Sequence, residues 1–501
     1  MGKVDQSRID NQPSDYLTGE EAAALLEVKR ETLYAYVSRG LLRGAPSGRG
    51  RARLYLRADV ERLKVRSDAR SGHGPVAAGA LRWGEPVLES ALTGIGPRGP
   101  MYRGHDAVGL AQADVPLEAV AELLWTGTLP DDGGEAAWEA AWEGAAAAAA
   151  AASSASSASS ASSALPVEGI AALLPERAHP FASLGLSIAA LGAQEPSHGW
   201  VAGQGVALED ERARGRAIVG ALAALVGLGR DAEAVQSVRA ALSERSVARR
   251  VLRVLRAPTL RQAAPSGASS EEVSPDEVSS SDAARAINRA LVISADHELN
   301  ASTFAVRVAA SAGADMHACV AAGIATLSGP LHGGCSDRLE EQLDEVRGAE
   351  DAAALVRSRI ARGEEVVGFG HPLYPEVDPR AALLLETAWA LDAGAELGPP
   401  VGREATLAGV VRGPGWRPRG ARLAVLHALM EAMRAAGQPP PTLDVGLVAL
   451  ATALDLPRGA AAGFFAVGRA VGWIAHVFEQ RAAGFLLRPR ARYTGPAGGS
   501  P

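Results

Sequence analysis

Ser336–Gly348 reads SDRLEEQLDEVRG, with Leu339, Leu343 and Val346 at i, i+4 and i+7. That spacing lays one apolar stripe along a helix whose other faces carry charge. Ser336 is a candidate N-cap and Gly348 a candidate stop. The same character runs through most of the chain after Arg70: Ala- and Leu-rich, poor in alternating β-branched residues, punctuated by Gly and Pro. The expectation is a large all-α domain rather than a doubly wound sheet.

The 501 residues are 47% hydrophobic, ample for a sizeable core. No window of eighteen or more consecutive strongly apolar residues is present, so no membrane span is expected. The start, MGKVDQSRIDNQPSD, lacks the apolar segment of a signal peptide. With Cys319 and Cys335 alone there is no disulfide framework, and a cytoplasmic protein is expected. Two segments read as insertions: an Ala/Ser tract over 144–164 and an acidic Pro/Ser-rich stretch over 263–282.

Net charge is −7, but Lys29–Arg70 holds twelve Lys or Arg against four Asp or Glu. This basic region overlaps the second of two short helical patterns in DYLTGEEAAALLEVKRETLYAYVSRGLL (Asp15–Leu42). Thr18 and Glu21 form a capping box ahead of Ala22, Leu25 and Leu26. The second pattern puts Leu33, Tyr36 and Val37 on one face and stops at Gly40. An arginine-rich hairpin and a third helix follow. Residues 14–68 thus resemble a winged helix-turn-helix of the MerR and excisionase type. The resemblance implies DNA as a candidate partner, with Lys29, Arg30, Thr32 and Tyr34 at the groove and Arg49, Arg51 and Arg53 on the wing. A basic module used for dimerisation is the alternative.

Four further patches carry chemistry: ADHELNASTF around His297, LSGPLHGGCSD around His332, GFGHPLYPEVDPRA around His371, and PTLDVG around Asp444. Pro330 and the Gly333–Gly334 pair are expected to shape backbone that comes close to something small. Metal-binding spacings such as HExxH and CxxC are absent, so no metal site is expected. The nucleotide-binding glycine loops and the nucleophile elbow are absent too. Neutral imidazoles, a carboxylate and arginines fit proton removal beside a carbonyl, with N–H donors stabilising the enolate and arginines holding carboxylates.

GPLHGG, GFGH followed by DPRA, and DHE followed by NAST together resemble the citrate synthase family. TGIGPRGPMYRGHD with VAELLWTGTLP is similar to that family's amino-terminal helical region, and GFLLRPRARYTGP to its carboxyl end. The resemblance implies a citrate-synthase domain over 78–497, with large and small helical subdomains behind the small winged domain. It also implies a homodimer without a tightly bound cofactor, taking acetyl-CoA as co-substrate with oxaloacetate. His332 would bond the thioester carbonyl, Asp444 take the methyl proton, and His371 polarise the ketone. His297, Arg380, Arg469 and Arg488 would hold oxaloacetate, the last from the partner subunit, with Gly368 and Gly370 of GFGH beside CoA. Plainer roles are open as well: Asp444 as a helix N-cap, Arg469 paired with Glu479, His297 bridging its own turn.

The chain departs from the family at three places. TLDVG replaces the usual surroundings of the aspartate, Pro372 and Pro375 replace basic residues after GFGH, and the interval from Arg380 to Asp444 is long. Two alternatives to acetyl-CoA condensation follow. One is 2-methylcitrate formation from propionyl-CoA, which one methylene separates only weakly. The other is a DNA-binding regulator whose enzyme-like domain senses a metabolite.

Overall fold

The computed structural model describes residues 16–26, 28–29, 32–33, 36–37, 42, 44–46, 53–57, 59–60, 88–96, 98–130, 140–144, 166–194, 208–256, 280–395, 397, 418 and 420–489. The described residues form two compact units, one within Met1–Glu89 and Arg488–Pro501, the other within Ser90–Leu487. Nearly all of the two expected insertions, and Arg30, Tyr34, Arg49 and Arg51 of the DNA-facing set, lie outside the described residues.

In the first unit, strands Tyr16–Thr18, Arg53–Leu56 and Gly44–Pro46 form an antiparallel sheet in that order, with Leu17 opposite Tyr55 and Ala45 opposite Leu54. The last two strands are the hairpin expected for the wing. The capping box is present: Glu21 N–H donates to Thr18 Oγ1 at 3.2 Å, and Thr18 N–H donates to Glu21 Oε2 at 2.8 Å. It opens the helix Gly19–Leu26. Leu17, Ala22, Ala23, Leu26, Leu33, Leu42, Tyr55 and Val60 form a small core, with Leu25, Tyr36 and Val37 packed against it. Lys29 is exposed and Thr32 half-buried.

The second unit is predominantly helical, around one core that includes the fully buried Trp389, Trp473, Phe464 and Leu123. Its central element is the 24-residue helix Ala460–Ala483. Length and composition would let it cross a membrane, yet 94% of its most apolar window is buried, which marks it as a core helix. Gly468 and Gly472 let it press against the end of helix Ser280–Ser294. A Cβ at Gly468 would stand 2.5 Å from the Leu291 carbonyl oxygen, and one at Gly472 would strike that of Ala295. Close approach is fixed by a bond from Gly472 N–H to the Ala295 carbonyl, 3.1 Å.

Two details differ from the sequence expectation. Thr93–Asp106, which reads with a helical region, is itself a three-stranded meander of Thr93–Gly96, Gly99–Tyr102 and His105–Asp106. Glycines at φ +109 (Gly99) and +88 (Gly104) turn it. The helix at SDRLEEQLDEVRG exists as Cys335–Asp344, but Gly334 holds the N-cap position and the helix ends before Val346. Ser336 is not the cap, because its hydroxyl donates to Asp444 Oδ1 at 2.8 Å.

Candidate active site

His332 sits in the turn between helices Met316–Leu327 and Cys335–Asp344. The glycines after it do not use the left-handed backbone region: Gly334 has φ −68. Their need is space. A Cβ at Gly333 would stand 2.7 Å from Leu327, and one at Gly334 3.0 Å from the Gly329 oxygen, so only glycine folds this turn onto the helix end. His332 Nε2 lies 2.9 Å from Ser302 Oγ, and its ring meets Phe465 edge-on. Burial, aided by the charge of Arg469, pushes its pKa down to about 4, so the ring is neutral at pH 7.

Ser302 is the centre of a small network. Trp473 Nε1–H donates to its Oγ at 3.2 Å, and its hydroxyl reaches Asn300 Oδ1 at 2.8 Å. Asn300 caps helix Ala301–Ser311, its Oδ1 accepting from Thr303 N–H. The NAST run of the sequence is therefore a helix cap that also supports His332.

Asp444 occupies the first turn of helix Leu443–Ala453, with Thr442 at the N-cap, so it is not itself the cap. Ser336 donates to one carboxylate oxygen and Thr442 Oγ1 approaches the other at 3.4 Å. Burial raises its pKa, against the lowering effect of the Ser336 bond, which makes it a better base than an exposed aspartate. The preceding segment runs antiparallel to GFGH: Gly370 N–H donates to Pro440 O and Thr442 N–H to Gly368 O, both 2.9 Å. Gly368 and Gly370 have φ +91 and +85, and a Cβ on Gly368 would stand 2.9 Å from Val445. What is seen of these glycines is this crossing, which brings His371 and Asp444 onto one seam.

His371 opens a turn in which Tyr374 N–H returns to its carbonyl, 2.9 Å. Pro372 stands second in that turn, where its fixed φ is favoured. Leu373 N–H donates to His371 Nδ1 at 3.2 Å, which leaves the proton of the neutral ring on Nε2. Burial, with Arg380 next, pushes this pKa down to about 4. His297 stacks edge-on against His371 at 5.4 Å, with Nε2 2.9 Å from the Tyr374 hydroxyl. Burial, then the charges of Arg380, Arg469 and His371, hold its pKa well below the usual histidine range. Glu298 beside it has φ +53, a conformation non-glycine residues seldom take and one that clusters at functional sites.

Arg380 and Arg469 are both almost fully buried. Arg380 is already held by Asp378, with Nε and Nη2 donating at 2.9 and 2.8 Å. Asp378 also caps helix Pro379–Asp392 and accepts from Leu443 N–H at 3.1 Å, linking the arginine to the helix that carries Asp444. Arg469 does not pair with Glu479, which binds Arg307 instead. Its Nε donates to the Ser294 carbonyl at 2.7 Å, and its guanidinium lies over Phe465. Burial pushes its pKa down to about 10, against the charge of Asp296. It stays a cation at pH 7.

His297, His332, His371, Arg380, Asp444 and Arg469 are thus gathered within one unit. Arg488 is exposed and falls in the other unit, so it is not among them. Tyr374, Asp378, Ser302 and Ser336 escaped notice as site residues, although each lies inside a stretch quoted for its histidine or arginine. Among the described residues no three His, Cys, Asp or Glu side chains converge as a metal site.

A family profile described as "Citrate synthase, C-terminal domain" matches residues 80–490. The chain belongs to the citrate synthase family. A helix-turn-helix domain profile matches residues 16–64. Among relatives, citrate synthase 2 of Bacillus subtilis is 34% identical over 226 residues, which is 45% of this chain and 53% of that protein. A 2-methylcitrate synthase of Shewanella oneidensis is 32% identical over 206 residues, 41% of this chain and 49% of its own. The chain spans about half the length of the sequence relatives it matches. In structure it shares the citrate synthase fold of the Thermoplasma acidophilum enzyme, solved with carboxymethyl coenzyme A and oxaloacetate. The TM-score is 0.60 at 21% identity, over 83% of this chain and 96% of the other. The Thermotoga maritima citrate synthase aligns with TM-score 0.57 at 21% identity and the same coverage.

Proposed function

We propose that the chain condenses acetyl-CoA with oxaloacetate and hydrolyses the resulting citryl-CoA to citrate and CoA. The observation that carries this reading is that Asp444, its pKa raised by burial, is tied by backbone bonds to the segment of neutral His371 and by Ser336 to the helix that follows the turn of neutral His332. An Asp444 oxygen takes a methyl proton of the acetyl thioester. The developing enolate oxygen receives a hydrogen bond from His332. His332 Nδ1–H is assigned as that donor, which requires the one Ser302 proton to turn from Asn300 Oδ1 to His332 Nε2. The enolate carbon attacks the ketone carbon of oxaloacetate while His371 Nε2–H donates a hydrogen bond to the ketone oxygen. That oxygen becomes an alkoxide and takes a proton from water as Asp444 returns the methyl proton to solvent. Water then cleaves the C–S bond and CoA leaves as the thiol.

Arg380, Arg469 and His297 are assigned to oxaloacetate, with Arg488 joining them across a homodimer interface. Gly368 and Gly370 are assigned to the CoA side, in a cytoplasmic enzyme. The winged unit is assigned to DNA through Lys29, Arg30, Thr32, Tyr34, Arg49, Arg51 and Arg53, as a regulatory appendage to the catalytic unit. The Shewanella relative favours propionyl-CoA as a second acyl donor to be compared. Replacing Asp444 by Ala is expected to cut kcat by about a hundred-fold or more, the scale of a lost general base. An Asp444→Ala protein with wild-type turnover would rule out this chemistry.

A further inference from the structure

Tyr374 is buried and has none of the roles assigned above, yet it touches three of the groups assigned to oxaloacetate. Its hydroxyl lies 2.9 Å from His297 Nε2, its ring 5.1 Å from that of His371, and Arg380 Cζ stands 4.9 Å over its face. The neutral His297 ring and the Tyr374 hydroxyl are thus joined by a direct hydrogen bond at Nε2. The backbone fixes where the ring starts, because Tyr374 closes the four-residue turn that begins at His371. Among the described residues it makes no hydrogen bond or ring contact with His332 or Asp444, the groups of the acyl side.

The geometry points to Tyr374 as the positioning residue of the oxaloacetate end, its hydroxyl holding His297 while its ring carries Arg380 and braces His371. This rests on the condensation chemistry proposed above. A proline on either side, Pro372 and Pro375, narrows the conformations open to the segment and so helps keep the ring in place. Loss of the hydroxyl alone leaves a buried imidazole nitrogen without its partner, which costs about what one hydrogen bond contributes. Loss of the whole ring also removes the cation–π seat of Arg380.

The test uses the full-length protein with Tyr374→Phe and Tyr374→Leu, oxaloacetate binding measured by calorimetry, and KM measured for each substrate. Tyr374→Phe is expected to weaken oxaloacetate about ten-fold and to leave the acyl-CoA KM within about two-fold. Tyr374→Leu is expected to weaken oxaloacetate about a further five-fold. In ¹⁵N-histidine spectra without substrate, the His297 resonances should move in the Phe variant while those of His332 stay. Unchanged oxaloacetate affinity in Tyr374→Phe, or an equal rise in both KM values, would overturn the inference, and a misfolded Leu variant leaves the Phe variant to decide. Wild-type protein that binds no oxaloacetate would overturn the condensation chemistry instead, and the His297 spectrum would still show whether Tyr374 holds that ring.

Discussion

At His332 and His371 burial keeps an imidazole neutral, and a neighbouring hydrogen bond then decides which nitrogen is the donor. Backbone Leu373 N–H does this for His371, and the Ser302 hydroxyl does so for His332 once its proton turns from Asn300 to Nε2. The consequence reaches stability as well as chemistry. An unfolded histidine takes its proton near pH 6.5, whereas these two take theirs near 4. Between those values the unfolded chain binds more protons, so folded-state stability falls as pH drops from about 6.5 towards 4. Above that window neither ring contributes a slope. His332→Gln is expected to flatten the decline seen in urea titrations between about pH 6.5 and 5. An unaltered slope would show that His332 is not the buried neutral base described here.

At the scale of elements, helices were legible where periodicity was strong. Cys335–Asp344 is present where SDRLEEQLDEVRG placed a helix, and Thr18 with Glu21 makes the capping box read from spacing alone. The task of Ser336 was not legible, because its partner Asp444 lies 108 residues away and only the fold joins them. The Thr93–Asp106 meander was hidden for another reason: its strands are too short and too rich in Gly and Pro to show alternation. The histidines and Asp444 stood out by their local sequence, whereas Arg380 and Arg469 were named only through the resemblance to the citrate synthase family. Asp378 did not, though one carboxylate ties Arg380 to the start of the Asp444 helix. Asp378→Ala leaves a buried guanidinium unpaired and is expected to destabilise the protein by about 3–5 kcal/mol, read from denaturant midpoints. A loss below about 1 kcal/mol would mean Arg380 finds another partner.

Across the whole molecule, a small basic unit precedes a large acidic one. Their separate cores, and the separate matches at 16–64 and 80–490, argue that chemistry and any contact with DNA are carried by different parts of the chain. Deleting residues 1–70 is expected to leave kcat within about three-fold of wild type, since all six gathered site residues lie beyond the cut. Loss of the dimer on that deletion would make the unit an assembly element instead. DNA affinity of the full chain should fall steeply as salt rises. The central claim, that the gathered histidines and Asp444 make a carbon–carbon bond between an acyl thioester and oxaloacetate, is tested most directly by CoA release. Purified protein with oxaloacetate should release CoA from acetyl-CoA, and faster than from propionyl-CoA. Folded protein that releases none from either thioester would contradict it.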